Sequence, residues 1–300
     1  MSILEEEQTE EWKKVLRSAF IAGMTGTQEE RIQACVDVGY YYMCYAPSSL
    51  YKYYSDKPRN LEAVKNNKMW YSAPCDFNDV FDCDLAINSK EILNGVLQMV
   101  PDKRGIRVGS QVWKQLNVSV NQQIKTFQAD FEGLRTKMGI ACLSEADNSL
   151  LMWAHYANNH RGMCVEYELL EFNSRLGFSP VPIIYSDERV SAHNFETLER
   201  DIQGKFIESL TSKSADWSYE REWRIIREDS ACGDKWDVEK KGALLDAIRP
   251  KSVTLGCMAT SEFEKEVREY CEASKINLFK MQKNPERYSL EKVPLLQYLE

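Results

Sequence analysis

Histidine is scarce in this chain, with three among 300 residues. No two of the nine cysteines have C-x-x-C spacing, so the sequence offers no zinc or dithiol redox site. Phosphate loops of the G-x-x-x-x-G-K-[ST] and G-x-G-x-x-G kinds are absent, as is the G-x-S-x-G nucleophile elbow. No apolar run approaches the length of a membrane span. The first residues, Met1-Ser2-Ile3-Leu4-Glu5-Glu6-Glu7, are acidic, unlike a secretory leader. Basic residues are outnumbered, 38 Lys and Arg against 46 Asp and Glu, for a net charge of -8. That balance argues against general, charge-driven nucleic-acid binding, though not against a local basic groove. The cysteine count is odd, and Cys142, Cys164 and Cys257 sit in apolar runs. Free buried thiols in a reducing cytosol are therefore expected.

What is present is ordinary for a globular protein: 43% hydrophobic and 28% charged residues. Helical periodicity covers residues 7–46, with a break at Gly23-Met24-Thr25-Gly26. This predicts an N-terminal helical hairpin, residues 1–46, either as a partner-binding module or as a cover for one sheet face. Residues 47–300 read as an α+β core domain with a single mixed or mostly antiparallel sheet. Strands are predicted at Ser48–Tyr54, Lys68–Ser72, Ile140–Leu143, Met163–Tyr167, Val181–Tyr185, Trp217–Arg227, Ser252–Cys257, Ile276–Met281 and Tyr288–Leu296. Helices are predicted after Asn60 as N-cap, over Ser89–Lys137 with a break at Pro101–Gly105, over Phe195–Leu210 and over Glu262–Ala273.

Three groups of residues could carry chemistry. The first is Leu143–Tyr167, where Ser144, Trp153, His155 and Tyr156 are crowded between two strands. A histidine among aromatics serves as a general acid or base, orients a ligand, or is a satisfied core residue. The second is Glu220 and Glu222, placed by strand alternation on one face with Arg224. Two carboxylates there repel unless a cation intervenes, and Arg224 is the candidate partner. Such a pair can hydrogen-bond a ribose or stabilise an oxocarbenium-like centre, or can belong to an ion-paired sheet face. The third is Asn78, Asp79, Asp82 and Asp84. Their composition suits a hard cation, but the spacing is not that of a calcium loop. Turn capping is the stronger reading, and no metal is predicted.

Several blocks occur in one order: Leu50-Tyr51-Lys52-Tyr53, Trp70-Tyr71-Ser72-Ala73-Pro74, Phe77-Asn78-Asp79-Val80-Phe81-Asp82, Cys142-Leu143-Ser144-Glu145, Met152-Trp153-Ala154-His155-Tyr156-Ala157, Gly162-Met163-Cys164-Val165 and Trp217–Arg224. Over about residues 48–230 the series resembles the bacterial domain-of-unknown-function family 2971. It departs from that family at Val80, commonly Pro, and at Tyr54, commonly Arg. A more distant likeness is to ADP-ribosyltransferase-like domains, in which a split β-rich core carries signature positions on three strands. That likeness implies NAD as substrate. It places Lys52 or Tyr53 at the ribose or phosphate, Tyr71 against nicotinamide, Glu222 at the transition state, and His155 on the substrate side. The usual first-strand His or Arg is missing.

Three readings follow. One is an NAD-using ADP-ribosyltransferase or NAD-cleaving effector in an anti-phage or toxin–antitoxin setting. Another is a non-catalytic ligand- or protein-sensing module. The third is a hydrolase or nuclease. The partners implied are a nucleotide or a protein, with no membrane and no indicated oligomeric state.

Overall fold

The computed structural model describes residues 3–99, 107–192 and 202–298. The expected turn at Pro101–Gly105 and the first residues of the helix expected from Phe195 lie outside them. The helices are α1 (Ile3–Thr25), α2 (Gln28–Cys44), α3 (Pro58–Lys65), α4 (Ser89–Met99), α5 (Gln111–Arg135), α6 (Leu150–Tyr156), α7 (Leu169–Leu176), α8 (Ile202–Leu210), α9 (Asp229–Cys232) and α10 (Ser261–Ser274). The strands are β1 (Ser49–Tyr54), β2 (Lys68–Ser72), β3 (Ala86–Ile87), β4 (Met138–Ser144), β5 (Met163–Glu168), β6 (Val181–Pro182), β7 (Ile184–Ser186) and β8 (Ser191–Ala192). They continue as β9 (Ser212–Ser214), β10 (Glu222–Glu228), β11 (Trp236–Asp237), β12 (Gly242–Asp246), β13 (Ser252–Leu255), β14 (Asn277–Lys283) and β15 (Leu290–Leu296). The chain divides into two compact units: Met1–Val38, Ala73–Met138 and Ile184–Ala215; and Gly39–Ser72, Gly139–Ile183 and Asp216–Glu300.

The first unit is largely helical. The break between α1 and α2 falls at Gly26 and Thr27 rather than from Gly23. A capping box explains the position: Thr27 N donates to Glu30 Oε2 at 2.7 Å and Glu30 N to Thr27 Oγ1 at 3.4 Å. Gly26 is required there, since a Cβ would lie 2.5 Å from the Ala22 carbonyl. Along α5, Val120, Ile124 and Phe131 form the buried stripe. Phe131 meets Phe206 of α8 edge to face, 5.3 Å between centroids. α1 packs on α8 and β7, where Arg17 donates to Ser212 at 2.9 Å. Short parallel ladders, β3–β8 and β7–β9, complete this unit.

At the start of α5, Ser110 Oγ accepts from Trp113 N at 3.2 Å. Ser110→Ala should therefore lower stability by about 1 kcal/mol, and Ser110→Gly by only a few tenths. Urea unfolding would measure both; equal stabilities would mean that the cap contributes nothing.

In the second unit, among the described residues, eleven strands join in one sheet ordered β11-β12-β2-β4-β1-β5-β13-β14-β15, with β10 pairing β4 and β6. Every defined register is antiparallel except β13–β14, whose parallel connection runs through α10. α10 spans the predicted helix and buries Phe263, Val267, Tyr270 and Cys271, one stripe of a 3.6-residue period. β13 is buried along its length, as its lack of charge predicts. β1 and β5 pair along all six residues. β4, by contrast, touches β1 in register only at Tyr51↔Ser144 and β2 only at Ser72↔Ile140. The sheet is loosest around β4, and side chains bond to its backbone there.

Three local expectations change. α3 begins at Pro58 rather than after an Asn60 cap, because proline is favoured in a first helical turn; Asn60 instead donates to Ser55. The strand expected over Val181–Tyr185 splits at Ile183. Ile183 N bonds to the Glu222 carbonyl, and Ile184 N to that of Thr211, so β6 and β7 enter different sheets. The strand expected from Trp217 begins only at Glu222, since Ala215–Glu220 forms a 3-10 turn.

Candidate functional site

The start of β10 explains how Glu220 and Glu222 come to face different partners. Ser144, the last residue of β4, donates its hydroxyl to the Glu220 carbonyl at 2.6 Å and accepts from Ala146 N at 3.1 Å. Arg221 turns into the left-handed region, φ 45°. Its N bonds to the Ser218 carbonyl, and its own carbonyl accepts from Glu145 N. The Glu145 carboxylate completes the clamp, accepting from Arg221 at 2.9 and 3.2 Å and from Trp223 Nε1 at 2.8 Å. With Arg221 out of the extended region, the period-2 argument for a shared face fails.

Each carboxylate then has its own neighbour. Tyr156 Oη donates to Glu220 Oε1 at 2.5 Å. Arg224 holds Glu222 in two bonds, Nε to Oε1 at 2.7 Å and Nη2 to Oε2 at 3.1 Å. Glu222 is 4% exposed and Arg224 fully buried. Arg224 is thus the cation expected beside Glu222, and Glu220 accepts from the Tyr156 phenol.

Lys52, from β1, reaches the loose seam at β4 and donates to the Cys142 carbonyl at 2.9 Å. Burial lowers the Lys52 ammonium pKa, opposed by Cys142 and by Glu222. Burial raises the Cys142 thiol, and Glu222 adds to the rise. Lys52, Cys142, Glu222 and Arg224 therefore form one polar group at β1, β4 and β10, while Tyr156 and Glu220 pair apart from it, on the side of Tyr51 and Tyr53.

The aromatic residues divide by burial. Trp153 is fully buried. It donates Nε1 to the Asp147 carbonyl at 2.7 Å and meets Tyr53 edge to face at 5.3 Å. Tyr53 donates to the Ala146 carbonyl at 2.7 Å, and burial pushes its phenol well above the usual range. Tyr71 has 0% exposure and lies against Gly139. These three rings are core, with no open face. His155, in contrast, is exposed on α6. Its ring lies 6.4 Å from Tyr156 and 6.3 Å from Tyr219, which lies 6.0 Å from Trp217. Tyr156 and Tyr219 rest on the buried cluster of Tyr53, Met152, Trp153 and Cys164. A row of part-exposed rings on a packed base can stack a flat group.

Asn78 and Asp79 belong to the first unit. Asp79 Oδ1 accepts from Phe81 N at 2.9 Å, the predicted turn-capping bond, while Oδ2 is buried without a partner. Asp82 is buried 3.4 Å from Lys213, and Asp84 pairs with Arg189. Among the described residues, no group of three His, Cys, Asp or Glu is arranged to hold a metal ion.

Trp153, His155, Tyr156, Glu220, Glu222 and Arg224 all lie in one sequence window, and that window is where the chain has a recognisable counterpart. Residues 152–225 match the family described as "Protein of unknown function (DUF2971)". No curated protein and no solved structure matches the chain. The DUF2971 match is narrower than the resemblance over residues 48–230, and leaves Lys52, Tyr53, Tyr71, Asn78, Asp79 and Ser144 outside it. Within it fall the aromatic row, Glu220 and Glu222. Glu145 and Lys213 carry no sequence signal of a site. Glu145 is a single charge just past β4 and Lys213 a single charge within β9, and the partner of each lies far along the chain.

Proposed function

We propose that the protein is a ligand-sensing module that binds a flat, ring-bearing ligand of the nucleotide class, NAD included, across Trp217, Tyr219 and His155. The observation that carries this reading is the row of part-exposed rings braced by the Tyr156–Glu220 hydrogen bond. A fixed row of rings loses little conformational freedom on binding, so stacking is retained as affinity. The transferase alternative needs Glu222 to meet a ribose and a developing oxocarbenium centre. Its carboxylate is buried and held in two bonds by Arg224, which weighs toward binding without turnover.

The test is titration with NAD, ADP-ribose and ATP, followed by tryptophan fluorescence and calorimetry, with nicotinamide release assayed in parallel. Saturable binding is expected, weakened in Trp217→Ala by about fivefold to a hundredfold, the range of one lost base–aromatic stack. No nicotinamide should appear. If none of the three ligands binds, the reading is abandoned. Release of nicotinamide from NAD that Glu222→Gln abolishes in a folded protein would replace it with the transferase.

A further inference from the structure

The turn that leaves α6 carries three successive non-glycine residues at positive φ: Asn158 at 46°, Asn159 at 53° and His160 at 66°. Left-handed backbone costs on the order of 1 kcal/mol for such residues, and it persists only where the surroundings impose it. Here they do. Asn159 N donates to the Ala154 carbonyl at 3.1 Å, His160 N to that of Trp153 at 3.0 Å and Gly162 N to that of Ala157 at 2.8 Å. Asn158 donates to Asp56 at 2.8 Å. The His160 carbonyl accepts from Met258 N at 2.9 Å. Gly256 lies so close to that carbonyl that a Cβ would sit 2.1 Å from its oxygen.

This framework holds an imidazole whose bonding is incomplete: His160 Nδ1 is buried with no hydrogen-bond partner. Leaving a buried polar atom unmatched costs about 1–3 kcal/mol. His160 lines a cavity of about 630 Å³, the size of a small-molecule site. Lys283, at the end of β14, and Arg287, in the loop joining β14 to β15, line it too, as do Cys257, Met258 and Leu290. Glu286 is the one carboxylate on its wall, so the lining carries a net positive charge. Burial and Lys283 both keep the imidazole pKa below its usual value. The neutral ring can accept or donate at Nδ1.

We propose that this cavity binds a small acid with an apolar body. Its phosphate or carboxylate would meet Lys283 and Arg287, with the His160 ring on the adjoining wall. Met258 and Leu290 give the body an apolar wall, and the strained turn keeps His160 in place before the ligand arrives. The inference is independent of the aromatic row, since it uses none of those rings.

Phenyl phosphate and phenylacetate are suitable probes of the two acid types, with inorganic phosphate as the control lacking a body. Calorimetry on the whole chain gives affinity, and long-range ¹H–¹⁵N spectra report on the His160 ring. At least one phenyl probe should bind, shift the His160 nitrogens, and weaken about tenfold or more in the Lys283→Met/Arg287→Met variant. Both substitutions are on exposed side chains, so the variant should keep the wild-type fold and melting temperature. Whichever phenyl probe binds identifies the acid group. No binding at millimolar concentration, unchanged affinity in the double variant, or saturation without a His160 shift would each overturn the proposal. Equal affinity for inorganic phosphate would overturn the apolar-body assignment.

Discussion

Glu222→Ala should lower the free energy of unfolding by about 3–5 kcal/mol, the usual cost of removing one partner from a buried ion pair. The carboxylate is 4% exposed and its guanidinium partner 0% exposed. Truncation therefore removes a two-bond carboxylate partner from a fully buried guanidinium. Replacing both residues, Glu222→Leu with Arg224→Met, should restore part of the loss, because the buried guanidinium is removed together with its carboxylate. Urea unfolding of the two single variants and the double one closes the thermodynamic cycle. A loss below about 1 kcal/mol for Glu222→Ala would place the pair in the range of solvent-exposed bridges and refute the geometry. The result also bears on function. Glu222→Gln is the natural probe of NAD chemistry, and its lost activity is informative only if the folded fraction is unchanged.

Gly162→Ala should be at least as damaging as ordinary overpacking, at or above about 3 kcal/mol. Gly162 precedes β5, beside the end of β1 where Tyr54 pairs with Met163. A Cβ there would lie 2.0 Å from the Tyr54 carbonyl oxygen and 3.0 Å from both Tyr54 C and Ser55 Cα. All three atoms are backbone, so no side chain can swing aside, and the β1–β5 ladder would have to open. Gly162 is not at positive φ, so the requirement is for space alone. Thermal unfolding of Gly162→Ala next to Gly177→Ala separates the two kinds of glycine. Gly177 ends α7 at φ 74° with nothing within 4 Å of a Cβ. A Gly162→Ala melting temperature equal to wild type would show that the chains are not this close.

Much of the fold is legible in the sequence, and the exceptions are instructive. α10 follows from a clean 3.6-residue stripe behind a threonine cap, β13 from a short uncharged run, and β1 from alternating Leu50, Lys52 and Tyr54. Trp217–Arg227 alternates almost as well, yet its first half is a 3-10 turn. The reason lies 76 residues away: Ser144 takes the Glu220 carbonyl, and Glu145 holds Arg221. The candidate site shows the same division. The sequence pairs Glu222 with Arg224 correctly, because they are two residues apart on a real strand. It offers Tyr53 and Tyr71 as ligand contacts and Trp153 as either a ligand contact or a core ring, and all three are core. A ring on a strand or short helix leaves the same pattern whether it faces a ligand or the interior.

The amino-acid sequence by itself determines the α+β class, the helical hairpin, the positions of most strands and the stretch in which the DUF2971 match lies. These depend on period, capping and turn chemistry, which act between residues a few positions apart. The tertiary structure alone decides that Tyr156 holds Glu220, that Lys52 sits in the loose seam at β4, and that His155 is exposed. It also decides that His160 lines a cavity and that its Nδ1 is buried without a partner. Each of these is set by strands or loops brought together from distant parts of the chain. Burial, and with it the strength of every charge and hydrogen bond in the site, exists only once that has happened.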